Sequence, residues 1–401
     1  MKNLIYLLLL SMTIPSCKKE EARQVNQYTI EQFYTNTRFE GGTFSADETR
    51  LLVGSDETGI FNLYEITLAD GAKKQLTTST VESYYPVDYV PGMSALIYSA
   101  DKGGNEIDHL YLLEDNGKTT DLTPGENNKV SFFKWSEDKK SMFYISNIRD
   151  PKYFDVYKMN IGEWIPTLFY ENKSGLDVNE ISDDEKTLVV SKTVTTSENE
   201  LYLVNRETDT QTELSLPDQK GRYGVSGFSK DNKYVFYLTD GGKEFTYLVQ
   251  YDMNSGERKV LYETNWDVMY TFLSEKETYR VIAINEDGKN TIIMQDAASG
   301  KTIDFPAIPD GDILGVEISD SEKLMRLSVG TSKAPNNIYL YNLETKELKK
   351  LTESLNKEIN ADDLVSAEVV RYKSFDGLDI PAIYYKPHQA TPEQKVPALV
   401  W

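Results

Sequence analysis

The sequence predicts an all-β protein, a seven-bladed β-propeller with a short segment of different pattern behind it. Three observations carry that prediction. A polar turn motif returns seven times at a near-constant interval, and a fixed period of this length marks a repeat architecture. Each interval holds the same order of apolar runs and turns. The chain is also rich in aromatic residues, with 27 tyrosines and 15 phenylalanines in 401 residues, and these suit pleated, half-buried surfaces.

The chain opens MKNLIYLLLLSMTIPSC. Lys2 supplies a basic start and residues 4–14 an apolar core, so 1–16 reads as an export signal peptide. At 11 residues this stretch falls short of the roughly 20 that a membrane-spanning helix needs. Ser16 and Cys17 resemble the end of a bacterial lipobox, whose cysteine is lipidated before the signal is removed. Cys17, the single cysteine, is therefore the expected lipidation site. Pro15 departs from the small residue usual at its position, and a plain secretory signal is the alternative. Lys18, Lys19, Glu20 and Glu21 resemble the charged export tag of surface lipoproteins in Bacteroidetes-type bacteria; an ordinary solvated tether is the other reading. Residues 17–37 then form a lipidated tether and a lead-in helix, because Thr29 and Gln32 stand in the S/T-x-x-E/Q arrangement of a helix start.

The repeats occupy 38–360. Aligning their turns gives Ser45, Pro91, Ser136, Ser182, Ser229, Ser274 and Ser319, with successive gaps of 46, 45, 46, 47, 45 and 45 residues. Each copy begins with a polar turn, often Ser-x-Asp, between two strands. A loop containing Gly or Asn follows, then a strand with an apolar residue before tyrosine: Leu63 and Tyr64, Leu110 and Tyr111, Val156 and Tyr157, Leu201 and Tyr202, Ile338 and Tyr339. The unit usually closes on Leu-Thr, as at Leu76, Leu122 and Leu351. Three or four short strands per repeat make one propeller blade. The repeat tyrosines are expected in packing roles.

After a polar linker at 353–363 the pattern changes. Residues 369–374 and 378–385 alternate like an antiparallel hairpin about Asp376 and Gly377, and a proline-flanked loop leads to the apolar VPALVW. The run Tyr-Lys-Ser-Phe-Asp-Gly-Leu-Asp-Ile-Pro-Ala-Ile-Tyr-Tyr-Lys-Pro from Tyr372, with Pro-Ala-Leu-Val-Trp from Pro397, resembles the entry into the α/β-hydrolase domain of the prolyl oligopeptidase family of serine peptidases. The lead-in helix and blade turns are similar to that family's too, so the resemblance extends over 26–401. It implies that 361–401 is the incomplete start of an α/β-hydrolase catalytic domain, with the last apolar run as a central strand. The chain then reads as the N-terminal portion of a longer peptidase.

In that family a His-Gly-Gly turn, a Gly-x-Ser-x-Gly nucleophile elbow, an Asp and a His follow in order. None occurs in this sequence. The nearest lookalike, GVSGFS from Gly224, has Phe228 where the second glycine belongs. The two histidines, His109 and His388, are expected as solvated loop or edge residues, since neither neighbours a candidate nucleophile. No catalytic residue is assigned, and the chain alone is expected to be inactive. Substrate-binding residues stay unassigned, because the one adjacent glutamate pair, Glu20 and Glu21, lies in the tether. No metal ligand set is found: the Asp-rich turns recur once per blade as turn chemistry does, and residues 285–290 lack the distal Glu of an EF-hand. No cofactor is implied.

A formal charge of −21 argues against a nucleic-acid partner, which calls for concentrated Lys and Arg. The expected role is that of the substrate-gating propeller of an exported serine peptidase acting on short peptides, held to the membrane by its lipid at the cell envelope of a Gram-negative bacterium. A non-catalytic propeller lipoprotein serving as a binding scaffold is the alternative, since propellers host many functions.

Overall fold

The structure is a computed structural model and describes residues 24–309 and 311–400. The signal segment and Cys17 lie outside the described residues. Seven four-stranded antiparallel sheets form seven blades at 39–75, 85–121, 130–170, 177–213, 223–262, 267–303 and 311–350. Within each, four strands consecutive in sequence pair in order, a plain meander. First strands touch one another between blades one and two, four and five, and five and six, as expected when the first strand lies nearest the axis. The second strands are covered on both faces by neighbouring blades, so they read as continuous apolar runs. Leu51, Leu52 and Val53 are fully buried, and so are Leu188, Val189 and Val190.

The turn motif has a bonding reason. Six serine hydroxyls accept the amide of the residue five positions on: Ser45 from Arg50, Ser136 from Ser141, Ser182 from Thr187, Ser229 from Tyr234, Ser274 from Tyr279 and Ser319 from Leu324. Four of them also donate to an aspartate two positions on, Asp47, Asp138, Asp184 and Asp231, at 2.6–2.7 Å. In the second blade the structure corrects the alignment. Val90, not Pro91, takes the serine position: its amide bonds Ala95 O and its carbonyl accepts from Met93. Proline has no N–H with which to close the hairpin.

The other two sequence signatures bond to each other. The hydroxyl that ends the fourth strand accepts the amide of the apolar residue preceding tyrosine in the third. Thr77 holds Leu63, Thr123 holds Leu110, Ser215 holds Leu201 and Thr352 holds Ile338, at 2.8–3.2 Å.

Every first strand carries a β-bulge, beginning four residues before the turn residue in blades one to five (Gly41 to Thr43, Pro86 to Asp88, Phe132 to Lys134, Val178 to Glu180, Val225 to Gly227) and six before it in blades six and seven (Val268 to Tyr270, Ile313 to Gly315). Bulges bend and twist a strand, and here one recurs in the first strand of each blade.

Adjacent blades are clipped through the residue three beyond the turn serine, which sits at positive φ. Asp183 N donates to Asn232 Oδ1, Lys230 N to Glu277 Oε1, Lys276 N to Glu322 Oε1 and Ser321 N to Glu48 Oε1, at 2.7–3.0 Å. The last of these joins blade seven to blade one. No strand is exchanged across that seam. Phe39, Leu51, Val53, Tyr64 and Ile66 of the first blade pack there against Ile338 and Leu351, and Lys349 Nζ donates to the carbonyls of Leu68 and Ala69.

The lead-in helix is Ile30–Tyr34, with both bonds of the capping box formed by Thr29 and Gln32. It docks on 356–363: Asn356 Nδ2 donates to Gln32 O and Thr35 Oγ1, Gln32 Nε2 to Glu358 Oε2, and Tyr28 OH to Asp363 Oδ2. The hairpin pairs Glu368–Lys373 with Asp379–Tyr384 around Gly377 at φ +89°. Beyond it, Leu399 and Val400 are 89% and 92% exposed, and residues 395–400 form no strand.

Candidate functional site

The hairpin selects one face of the ring. Arg371 pairs with Asp287 in the turn between the second and third strands of blade six, at 2.6 Å. Ile383 lies over Gly288 in the same turn. Ala367 N donates to Ser332 Oγ in the equivalent turn of blade seven. The face carrying these turns is therefore the candidate functional face. It also holds a cavity of about 600 Å³ between blades four and five, lined by Glu198, Lys220, Asp240, Lys243 and Glu244. A second, of about 580 Å³, lies beside Glu82, Asp101, Glu106 and Lys129. Both are charged and shallow, the chemistry of a surface that meets another polar body and not of an enclosed reaction chamber.

The structure buries His109, contrary to the sequence expectation of a solvated histidine. It is 7% exposed, with Nδ1 2.8 Å from Asp121 Oδ2 and Nε2 2.9 Å from Gly125 O. Both partners are acceptors, so only the doubly protonated ring makes both bonds at once. The reason lies in the repeat. The residue just before the apolar-tyrosine pair pins the connection into the next blade: Asn62 bonds Ser79 and Thr77, Asp155 bonds Asn172 N and Arg149, and Asn337 bonds Ser354 and Thr352. All are buried. His109 fills that position in blade two. Sequence reading missed the set because its residue types differ; the common signal is a polar residue before the third-strand pair.

His388 is half-buried, with Nε2 3.3 Å from Leu364 O. Neither histidine bonds a serine hydroxyl among the described residues, so the structure brings no nucleophile and base together there. Among those residues no three metal-ligating side chains cluster, and no helix is long and apolar enough to cross a membrane.

At the opposite end of the axis, charge is buried. Burial pushes the Glu317 carboxyl up despite Arg326 at 3.0 Å, and burial raises Asp88 despite the Trp135 indole N–H at 2.8 Å. Both line a cavity of about 400 Å³ among blades one, two, three and seven. Burial opposes the charge of Lys134, but Glu180 and Asp183 at 3.2 and 3.3 Å outweigh it and hold the ammonium above its usual range.

Residues 87–354 match the family described as prolyl oligopeptidase, N-terminal beta-propeller domain. The chain belongs to the prolyl oligopeptidase family. Among solved structures it is similar to a prolyl endopeptidase, one of two studied for inter-domain dynamics in catalysis and specificity, with TM-score 0.68 and 17% identity over 88% of this chain and 54% of that one. It is similar too to prolyl oligopeptidase B from Galerina marginata, at TM-score 0.65 and 15% identity over 87% and 55%. The form of that enzyme bound to a 35mer hydrolysis and macrocyclization substrate matches at TM-score 0.65 and 16% identity over 88% and 55%. The chain thus spans about half the length of these relatives. No curated protein matches it in sequence. At such identities the structural likeness speaks for the fold, the family propeller with seven blades.

Proposed function

We propose that this propeller is the substrate-gating part of an exported serine peptidase that cleaves short peptides, with the catalytic Ser, Asp and His supplied by sequence following residue 401. Family membership over 87–354 is the observation that carries the reading. The hairpin at 368–384, seated on the turns of blades six and seven, supports it by marking the face on which a catalytic domain would rest. The ring then limits access to that domain, so folded proteins are poor substrates and short peptides good ones. Cys17 carries the lipid that holds the protein at the cell envelope.

Labelling the full-length gene product with a serine-reactive fluorophosphonate tests the chemistry. One labelled serine, protected by short peptides and not by a folded protein, is expected; an unlabelled product refutes the peptidase reading. Metabolic labelling with an alkyne fatty acid tests the anchor, and the Cys17→Ala product should carry none.

A further inference from the structure

Arg280 is a buried cation that has no ion-pair partner among the described residues. It lies at the turn end of the second strand of blade six, Tyr279–Glu286. Asp287, which holds the hairpin, follows the other end, roughly 20 Å away at 3.3 Å per residue. Its side chain is therefore remote from the candidate functional face. Arg280 is 6% exposed. Among the described residues its guanidinium makes no hydrogen bond and no ion pair; it stands 4.4 Å over the Phe236 ring of blade five. A buried guanidinium normally has a carboxylate or several acceptors, because removing it from water without them is strongly unfavourable. Burial, weakly offset by Glu277, pulls it down to about 10.

Arg280 lines a cavity of about 190 Å³ among blades three to six. Its apolar walls are Phe228, Phe236, Phe272 and Leu273. Nothing lies within 4 Å of where a side chain would begin on Gly227, so that wall is open. The only other cation there, Lys134, is already matched by Glu180 and Asp183. The lining thus offers one free positive charge among aromatic rings, in a space larger than the ~150 Å³ that holds benzene.

We propose that this pocket binds a small monocarboxylate with a flat apolar body, its carboxylate paired with Arg280 and its body against the phenylalanines. Arginine presents two parallel donors that match a carboxylate. A dianion such as phosphate is disfavoured by Glu180 and Asp183 in the same lining. A peptide chain is too large for the space.

Benzoate is the probe. Titration of the protein with sodium benzoate, followed by calorimetry and by the Arg280 Nε–H resonance, should give saturable binding that shifts that resonance. Neutral benzamide should bind at least tenfold more weakly, and so should benzoate to the Arg280→Met variant; Arg280→Lys should retain part of the affinity. Sodium phosphate should leave the resonance in place. The proposal fails if benzoate does not bind, if benzamide binds equally well, or if Arg280→Met, folded by circular dichroism, binds benzoate as the parent does. The unmodified protein's resonance decides the matter if the variant does not fold.

Discussion

At the scale of single residues, the turn carboxylates and the buried pins make opposite kinds of contribution. The Ser45 and Thr49 hydroxyls hold Asp47 down to about 2, and the Ser136 and Ser229 hydroxyls, helped by turn amides, lower Asp138 and Asp231. These groups lie below their unfolded values, so between about pH 4 and 2 the unfolded chain binds more protons than the folded one. Stability is fully present above that window and falls as the pH drops through it. Thermal melts across pH 5 to 2 should show this loss, smaller in a Ser45→Ala, Ser229→Ala double variant because fewer carboxylates remain depressed. His109 acts through geometry. Replacing it with alanine leaves Asp121 and the Gly125 carbonyl short of a donor and should cost about 1–3 kcal/mol in urea unfolding. Asparagine, the residue at the equivalent positions 62 and 337, should recover part of the loss.

At the scale of the blade, the clip residues explain why side chains sit where glycine would be easier. Glu48, Asn232, Glu277 and Glu322 all have φ between 52 and 62°, a conformation that costs non-glycine residues on the order of 1 kcal/mol or more. Each returns a bond to the turn of the preceding blade. Glu48 alone accepts from Ser319 Oγ, Ser321 N and Ser321 Oγ. Glu48→Gly should therefore destabilise by about 1–2 kcal/mol although it relieves the backbone, since bonds to a charged acceptor are worth more than the strain. Asp209, at φ 57° with no side-chain hydrogen bond among the described residues, is the control. Asp209→Gly should be neutral or slightly stabilising by the same unfolding measurement. Blade turns could be read from sequence because a serine and its amide lie five residues apart. The clips could not, because donor and acceptor belong to different repeats and lie 46–49 residues apart, or 273 where blade seven meets blade one.

At the scale of the whole ring, blades one and seven lie at opposite ends of the repeat sequence and meet with no strand exchanged, joined by side-chain clips such as that of Glu48 to Ser321. Gly42 sits in this seam at φ +123°, and a Cβ there would meet Arg326 Cδ at 2.5 Å. The helix and its dock on 356–363 cross the same region, with Thr37 N bonding Ser354 O at 2.9 Å. Gly42→Ala, or Glu48→Ala with Lys349→Ala, should speed amide hydrogen exchange in blades one and seven while leaving blades three and four unchanged. Uniform acceleration around the ring would argue against a local seam.

The sequence by itself determined how many blades there are, where the first turn falls in the six blades that carry a serine there and that a hairpin follows, because those features rest on hydrogen bonds between residues a few positions apart. It also carried the family resemblance, through residues 372–387. Which polar residue pins each connection, that Val90 replaces Pro91 in the turn, that His109 is buried and that Arg280 lacks a counter-charge were decided by the tertiary structure. A buried charge is satisfied or left alone by whatever the neighbouring blade brings beside it, and a repeat of about 45 residues conceals that neighbour from any local reading.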